Sequence, residues 1–200
     1  MPRDELLATL RRYLDNERVL AAMGAVPREA FVPPELAEDA WDNVPLPIGC
    51  GQTISQPLVV ARMCELLELS CSDRVLDVGT GSGYHAAVLA QLCGHVWSVE
   101  RHPALSAQAA SNLAAAGVDN VTLLVGDGTL GVPDEAPFDA INVAAAGAAV
   151  PPALEAQLGP GGRLVAPVEN GDQRLLLVRR HDGELERTPL ERVRFVPLIQ

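Results

Sequence analysis

The chain has 200 residues, 48% of them hydrophobic, and a formal net charge of -11 at pH 7; that is the size of one ordinary domain with a real core. No apolar run reaches the roughly 18 residues a membrane span needs, and Met1-Pro2-Arg3-Asp4-Glu5 puts charge where a secretory leader is apolar. An acidic chain also makes a poor partner for duplex nucleic acid, whose phosphates are met by basic patches. The expectation is a cytoplasmic protein with neither a membrane nor a nucleic-acid partner.

In residues 4–23 the spacing of Leu6, Leu7, Leu10, Leu14, Val19 and Leu20 predicts one or two amphipathic helices, the first capped by Asp4. Pro27, Pro33, Pro34, Pro45 and Pro47 then interrupt the chain, so 24–54 should be mostly irregular. A stretch of that length without regular structure usually serves function. Ser55-Gln56-Pro57 reads as a helix start, with Ser55 as N-cap and Pro57 in the first turn.

Strand and helix alternate from there on. Strands are expected at 74–78, 95–99, 121–125, 138–143 and 163–167, and helices at 83–92, 103–116 and 151–158. Repeated βα units imply a mostly parallel sheet covered on both faces. Residues 175–180 and 192–197, around Asp182-Gly183, are expected to close the sheet as an antiparallel pair. The reading is a doubly wound α/β domain over 1–200, in which 1–55 cap a core of 56–200. The late arginines (Arg174, Arg179, Arg180, Arg187, Arg192, Arg194) would line a solvated sheet face. Cys50, Cys64, Cys71 and Cys93 form no CxxC pair, and His85, His95, His102 and His181 fall into no ligand spacing. Mostly buried, reduced thiols and no metal are expected.

The strongest local signal is Val75-Leu76-Asp77-Val78-Gly79-Thr80-Gly81-Ser82-Gly83-Tyr84. A hydrophobic strand runs into alternating glycines and then a helix, at the strand end where doubly wound sheets bind ligands. A dinucleotide fingerprint would place Gly or Ala at 84, where this chain has Tyr84. G-x-G-x-G after an acid-bearing strand is instead the pattern of S-adenosylmethionine sites. The next strand ends in Glu100, placed to accept hydrogen bonds from both ribose hydroxyls. A third ends at Gly126-Asp127-Gly128, where Asp127 would receive the adenine amino group. Adenosine-type cofactor binding by Asp77, Gly79, Thr80, Gly81, Ser82, Gly83, Glu100, Asp127 and Gly128 is the reading.

From Val26-Pro27-Arg28-Glu29-Ala30-Phe31-Val32-Pro33 to Val193-Arg194-Phe195-Val196-Pro197-Leu198, the chain resembles the protein-L-isoaspartate (D-aspartate) O-methyltransferase family. The most diagnostic stretch is Pro45-Leu46-Pro47-Ile48-Gly49-Cys50-Gly51-Gln52-Thr53-Ile54-Ser55-Gln56-Pro57, upstream of the cofactor motif, and Pro160 to Leu164 match the family's Pro-Gly-Gly-Arg-Leu element. The resemblance implies a class I methyltransferase that uses S-adenosyl-L-methionine, releases S-adenosyl-L-homocysteine and acts on isoaspartyl proteins and peptides. It also implies that Ser55 is the active-site residue, and that Thr53, Ile54, Ser55, Ala144 and Val196 form the substrate side. An open cleft for a peptide suggests a monomer. Two positions depart from the family pattern: Cys50, usually His, and Ala144, where Thr is common before paired alanines. Both remove a polar group near the expected pocket, and 144–149 would be an adaptable loop over the peptide.

Two alternatives stand beside protein repair. A related O-methyltransferase could act on an aspartate of a dedicated ribosomal peptide, or the chain could bind S-adenosylmethionine without turnover. The intact glycine turn and serine segment speak against the second, and the end of the chain just after Val-Pro-Leu speaks against the first.

Overall fold

The computed structural model describes residues 1–199. The amphipathic N-terminal stretch forms two helices, α1 (Arg3–Leu10) and α2 (Glu17–Ala25), whose Leu6, Leu10, Val19, Leu20 and Met23 are buried. Asp4 does not cap α1. The N-cap is Pro2, which has no side-chain cap, and Asp4 lies inside the first turn. Asn16 caps α2, its side chain accepting from the Val19 amide at 3.2 Å.

Residues 24–54 carry more structure than their prolines suggest. Two 3₁₀ turns, Arg28–Phe31 and Pro34–Asp39, precede a hairpin of β1 (Leu46–Gly49) and β2 (Gln52–Ile54). Gly49, Cys50 and Gly51 turn it, all with positive φ. Pro47 is tolerated because a two-stranded sheet has only edge strands. Helix α3 (Pro57–Leu67) follows, and Ser55 is not its cap. Gln56 occupies that position, with Pro57 next to it; the Leu58 amide donates to Asn43 Oδ1 at 3.0 Å. The cap is thus supplied by an upstream loop.

The main sheet comprises β3 (Arg74–Val78), β4 (His95–Glu100), β5 (Val121–Val125), β6 (Phe138–Val143), β7 (Leu158–Asn170), β8 (Asp172–His181) and β9 (Glu184–Arg192), in the order β5-β4-β3-β6-β7-β8-β9. Pairs from β5 to β7 are parallel, and β8 and β9 close the sheet antiparallel. Helices α4 (Tyr84–Ala90), α5 (Pro103–Ala115) and α6 (Pro152–Ala156) are the crossovers, each shorter than its sequence pattern. Successive side chains of β3 point to opposite faces. Val75 packs with the core shared by α1 to α4, whereas Leu76 and Val78 join the core beneath α6.

The closing pair is shifted from the expected one. Asp182 and Gly183, at φ 50° and 85°, make a two-residue turn, so the partner strand starts at Glu184 and ends at Arg192. Residues 193–197 leave the sheet instead. β7 also extends well past the expected 163–167, because it continues into a tight turn at Gly171 that pairs it with β8. Several late arginines do lie on a solvated surface in ion pairs, among them Arg179 with Glu68 at 2.6 Å and Arg187 with Glu155 at 2.7 Å. Cys64 and Cys93 are buried, but Cys50 and Cys71 are exposed.

Candidate active site

The glycine turn sits where the sheet order reverses, with β4 on one side of β3 and β6 on the other. Backbone bonds anchor it to both neighbours: Gly79 N donates to Val99 O at 2.9 Å, and Ala144 N donates to Val78 O at 2.8 Å. Gly83 has φ +90°, and a Cβ there would meet the Ala109 Cβ at 3.3 Å, so only glycine lets α4 pack this close to α5. Above the turn opens a cleft lined by Gly79, Thr80, Gly81, Ser82, Glu100 and Gly128, together with Thr53, Ile54, Ser55, Ala144 and Val196. Eleven of the cofactor and substrate candidates scattered over the sequence therefore meet in one cavity, whereas Asp77, Gly83 and Asp127 do not line it.

Glu100 is buried, and each of its oxygens holds a backbone amide: Oε2 accepts from Gly81 at 2.8 Å and Oε1 from His102 at 2.9 Å. A carboxylate oxygen has two lone pairs, so both retain capacity toward the cleft. Those two bonds fix the carboxylate orientation before any ligand arrives. Asp127 is placed differently. Its Oδ1 accepts from both the amide and the hydroxyl of Thr129, at 2.9 and 2.7 Å, which holds the carboxyl below the usual range. Gly128, beside it, lines the cleft; a Cβ there would lie 2.5 Å from Val78 Cγ1.

Asp77 is fully buried and does not line the cleft. Ser98 Oγ donates to its Oδ2 and Asn142 Nδ2 to its Oδ1, both at 2.7 Å. Ser98 Oγ in turn meets Thr80 Oγ1 at 2.6 Å. Burial pushes the Asp77 carboxyl up, and the two donors pull it back down. Asp77 thus supports the turn from beneath. The same Asn142 amide reaches His85 Nδ1 at 3.2 Å, and His85 Nε2 meets Cys64 Sγ at 3.5 Å. None of these partners was legible in the sequence, since Cys64, His85 and Asn142 belong to no local pattern.

On the opposite wall, the Ser55 carbonyl accepts from Arg28 Nη2 at 2.8 Å, and the serine hydroxyl takes no part in capping α3. Residues 193–199 form the roof. Gln173 receives the Val193 and Phe195 amides, at 3.0 and 2.7 Å. The Ala146 amide donates to Val196 O at 2.8 Å, and the Leu198 amide donates to Ala146 O at 2.7 Å. Gly147 is bonded to β7 through Pro167 and Glu169. The alanine-rich segment, expected to be adaptable, is pinned between β7 and this tail. Ala144 packs against the Gly79 turn, while Cys50 lies at the exposed hairpin turn and does not line the cleft. A second chamber of about 390 Å³ adjoins the first and shares Thr53, Ser55, Ala144 and Val196 with it. Among the described residues no group of three or more His, Cys, Asp or Glu is placed to hold a metal.

A glycine turn at the switch point, facing an anchored acid one strand away, is the cradle of the class I S-adenosylmethionine-dependent methyltransferases, and this is the class of the fold. A solved protein-L-isoaspartate O-methyltransferase superposes with a TM-score of 0.88 at 30% identity, covering 98% of this chain; the chain spans 65% of that protein's length. Another solved structure assigned to that activity, from Plasmodium falciparum and in complex with S-adenosyl-L-homocysteine, gives 0.87 at 26% identity over 100% of this chain and 99% of its own. Among sequences, the protein-L-isoaspartate O-methyltransferase of Methanoculleus marisnigri is 54% identical over 189 residues, 94% of this chain and 86% of its own. The family model described as Protein-L-isoaspartate(D-aspartate) O-methyltransferase matches residues 1–200. The chain belongs to that family.

Proposed function

We propose that this chain esterifies the α-carboxylate of L-isoaspartyl residues in damaged proteins and peptides, taking the methyl from S-adenosyl-L-methionine and releasing S-adenosyl-L-homocysteine. One observation carries the assignment of roles. The cofactor cleft and the second chamber have Thr53, Ser55, Ala144 and Val196 as their common wall. A methyl passing from a cofactor in the first to a carboxylate entering from the second must cross there.

When bound, S-adenosylmethionine supplies a methyl group on a sulfonium sulfur, and that sulfur keeps the bonding electrons as the thioether product. Glu100 would hold the ribose hydroxyls, with Gly79, Thr80, Gly81 and Ser82 beneath the rest, while Gly83 serves the turn by admitting α5. The anchored carboxylate and the side-chain-free turn fit such a group. At Asp127 the protein leaves Oδ2 as the oxygen to meet an adenine amine. Asp77 acts through Ser98 and Thr80, not by contact.

An isoaspartyl carboxylate is already ionised at neutral pH, so the attack needs no strong base. It needs orientation, which the Ser55 hydroxyl gives by donating to one carboxylate oxygen, with Thr53 and Ile54 beside it. Ala144 and Val196 keep the crossing point apolar. Residues 1–55 and 56–200 work as one domain, since Leu6 to Ile54 share a core with Val75 and Leu89. No described helix is long and apolar enough to cross a membrane. We take the protein to act as a monomer in the cytoplasm, without nucleic acid.

The test is incubation with methyl-labelled S-adenosylmethionine and two peptides that differ only in an isoaspartyl or aspartyl linkage. Base-labile label is expected on the isoaspartyl peptide alone, reduced roughly 10- to 100-fold in kcat/KM by Ser55→Ala, as befits one hydrogen bond to a charged group. Label on neither peptide, with S-adenosylmethionine still bound in calorimetry, would sink the repair function and point to a dedicated peptide.

A further inference from the structure

Arg28 is fully buried, at 0% exposure, and none of the ion pairs among the described residues involves it. Burial disfavours its charge, yet a guanidinium stays protonated in proteins. A lone buried cation is costly to keep. What it touches is specific. Nε donates to the Ala40 carbonyl at 2.7 Å, and Nη2 donates to the Ser55 carbonyl at 2.8 Å. The guanidinium carbon lies 4.6 Å from the centroid of the Tyr84 ring. Nη1 has no partner.

Those contacts belong to the two sides of the reaction. Ser55 sits on the shared wall of the two chambers, whereas Tyr84 directly follows Gly83, begins α4 and lines the cofactor cleft. Phe31 also packs edge-on against Tyr84, ring centroids 5.7 Å apart. The planar fork presents its donors in fixed directions, and the aromatic face fixes its plane. A hydrocarbon side chain would fill the space but could not hold the Ser55 carbonyl in register with the cofactor turn.

We propose that Arg28 is a positioning residue for methyl transfer: its buried guanidinium, braced on Tyr84, sets the Ser55 backbone and hence the reach of the Ser55 hydroxyl to the substrate carboxylate. The proposal rests on the role given to Ser55 above. A lysine at this position keeps the charge and the cation–π contact but offers a point charge on a flexible stem.

The experiment is a double-mutant cycle on full-length protein, comparing wild type, Arg28→Lys, Ser55→Ala and the double variant. The readouts are kcat and KM for a labelled isoaspartyl peptide and calorimetric affinity for S-adenosylmethionine. Arg28→Lys is expected to lower kcat roughly 10- to 100-fold, as misplacement of a catalytic group does, with cofactor affinity retained. In the Ser55→Ala background the same substitution is expected to cost little more, because no hydroxyl remains to be placed. Equal fold losses in the two backgrounds would mean Arg28 is only a structural post and overturn the proposal. Full kcat in Ser55→Ala alone would overturn the role of Ser55 itself, and that is read without touching Arg28. If Arg28→Lys does not fold, Arg28→Gln, which buries no charge, is read by the same cycle and the same two criteria.

Discussion

Acidification should destabilise this fold through His85. The side chain is 7% exposed, and burial pushes its pKa down to about 3. Its bonding pattern explains why it stays neutral. The Asn142 amide nitrogen faces both Asp77 Oδ1 and His85 Nδ1, so Nδ1 must be the acceptor and Nε2 carries the hydrogen toward Cys64. A second proton on Nδ1 would meet a donor. Turning the amide over would set its oxygen against the Asp77 carboxylate. In the unfolded chain His85 takes up a proton as the pH falls through about 6.5. The folded protein cannot do so until about pH 3. Within that window the unfolded state binds more protons, so stability is complete above about pH 6.5 and is lost progressively below it. At pH 5, about 1.5 units below the unfolded value, the loss is about 2 kcal/mol, a large share of the roughly 5–15 kcal/mol that holds a domain together. Urea unfolding at about pH 7.5 and pH 5, on wild type and on His85→Gln, measures it. The glutamine keeps an acceptor for Asn142 and cannot titrate. The wild type should lose about 2 kcal/mol more than the variant on acidification. Equal losses in the two proteins would refute the reasoning, since every other titrating group is common to both.

Glu100→Ala removes the carboxylate that Gly81 and His102 orient, and should weaken calorimetric S-adenosylmethionine binding by at least about tenfold, the worth of one charged hydrogen bond; an unchanged Kd would remove Glu100 from the ribose site. Asn43→Ala strips α3 of its cap and should cost about 1 kcal/mol in thermal unfolding. In the same assay Ser55→Ala should stay within about 0.5 kcal/mol of wild type, whereas a larger loss would show that the serine serves the helix.

The parallel part of the sheet was readable because each element announces itself locally. Val75, Leu76 and Val78 make a short, mostly apolar strand, interrupted by Asp77 and closed by alternating glycines, and a strand buried on both faces has that texture. Glu100 could be placed from its distance to Gly79, since a βαβ unit has a narrow range of lengths. The tips of helices were less readable: Ser55 has the right residue type and place for a cap, and Asp4 likewise. Which oxygen satisfies a free amide depends on what else approaches, and at α3 the loop at Asn43 arrives first.

The chain's own order of residues therefore determined the βα rhythm, the glycine turn and the cluster of ligand-suited strand ends, all of which are short-range consequences of side-chain volume, period and backbone freedom. Only the tertiary structure decided that Asp77 lies under the turn and not in the cleft, that 193–199 roof the cavity instead of pairing in the sheet, and that Arg28 joins Ser55 to Tyr84. Each of these depends on a polar group finding its partner across tens of residues, and burial forces that pairing only once the chain has closed around it.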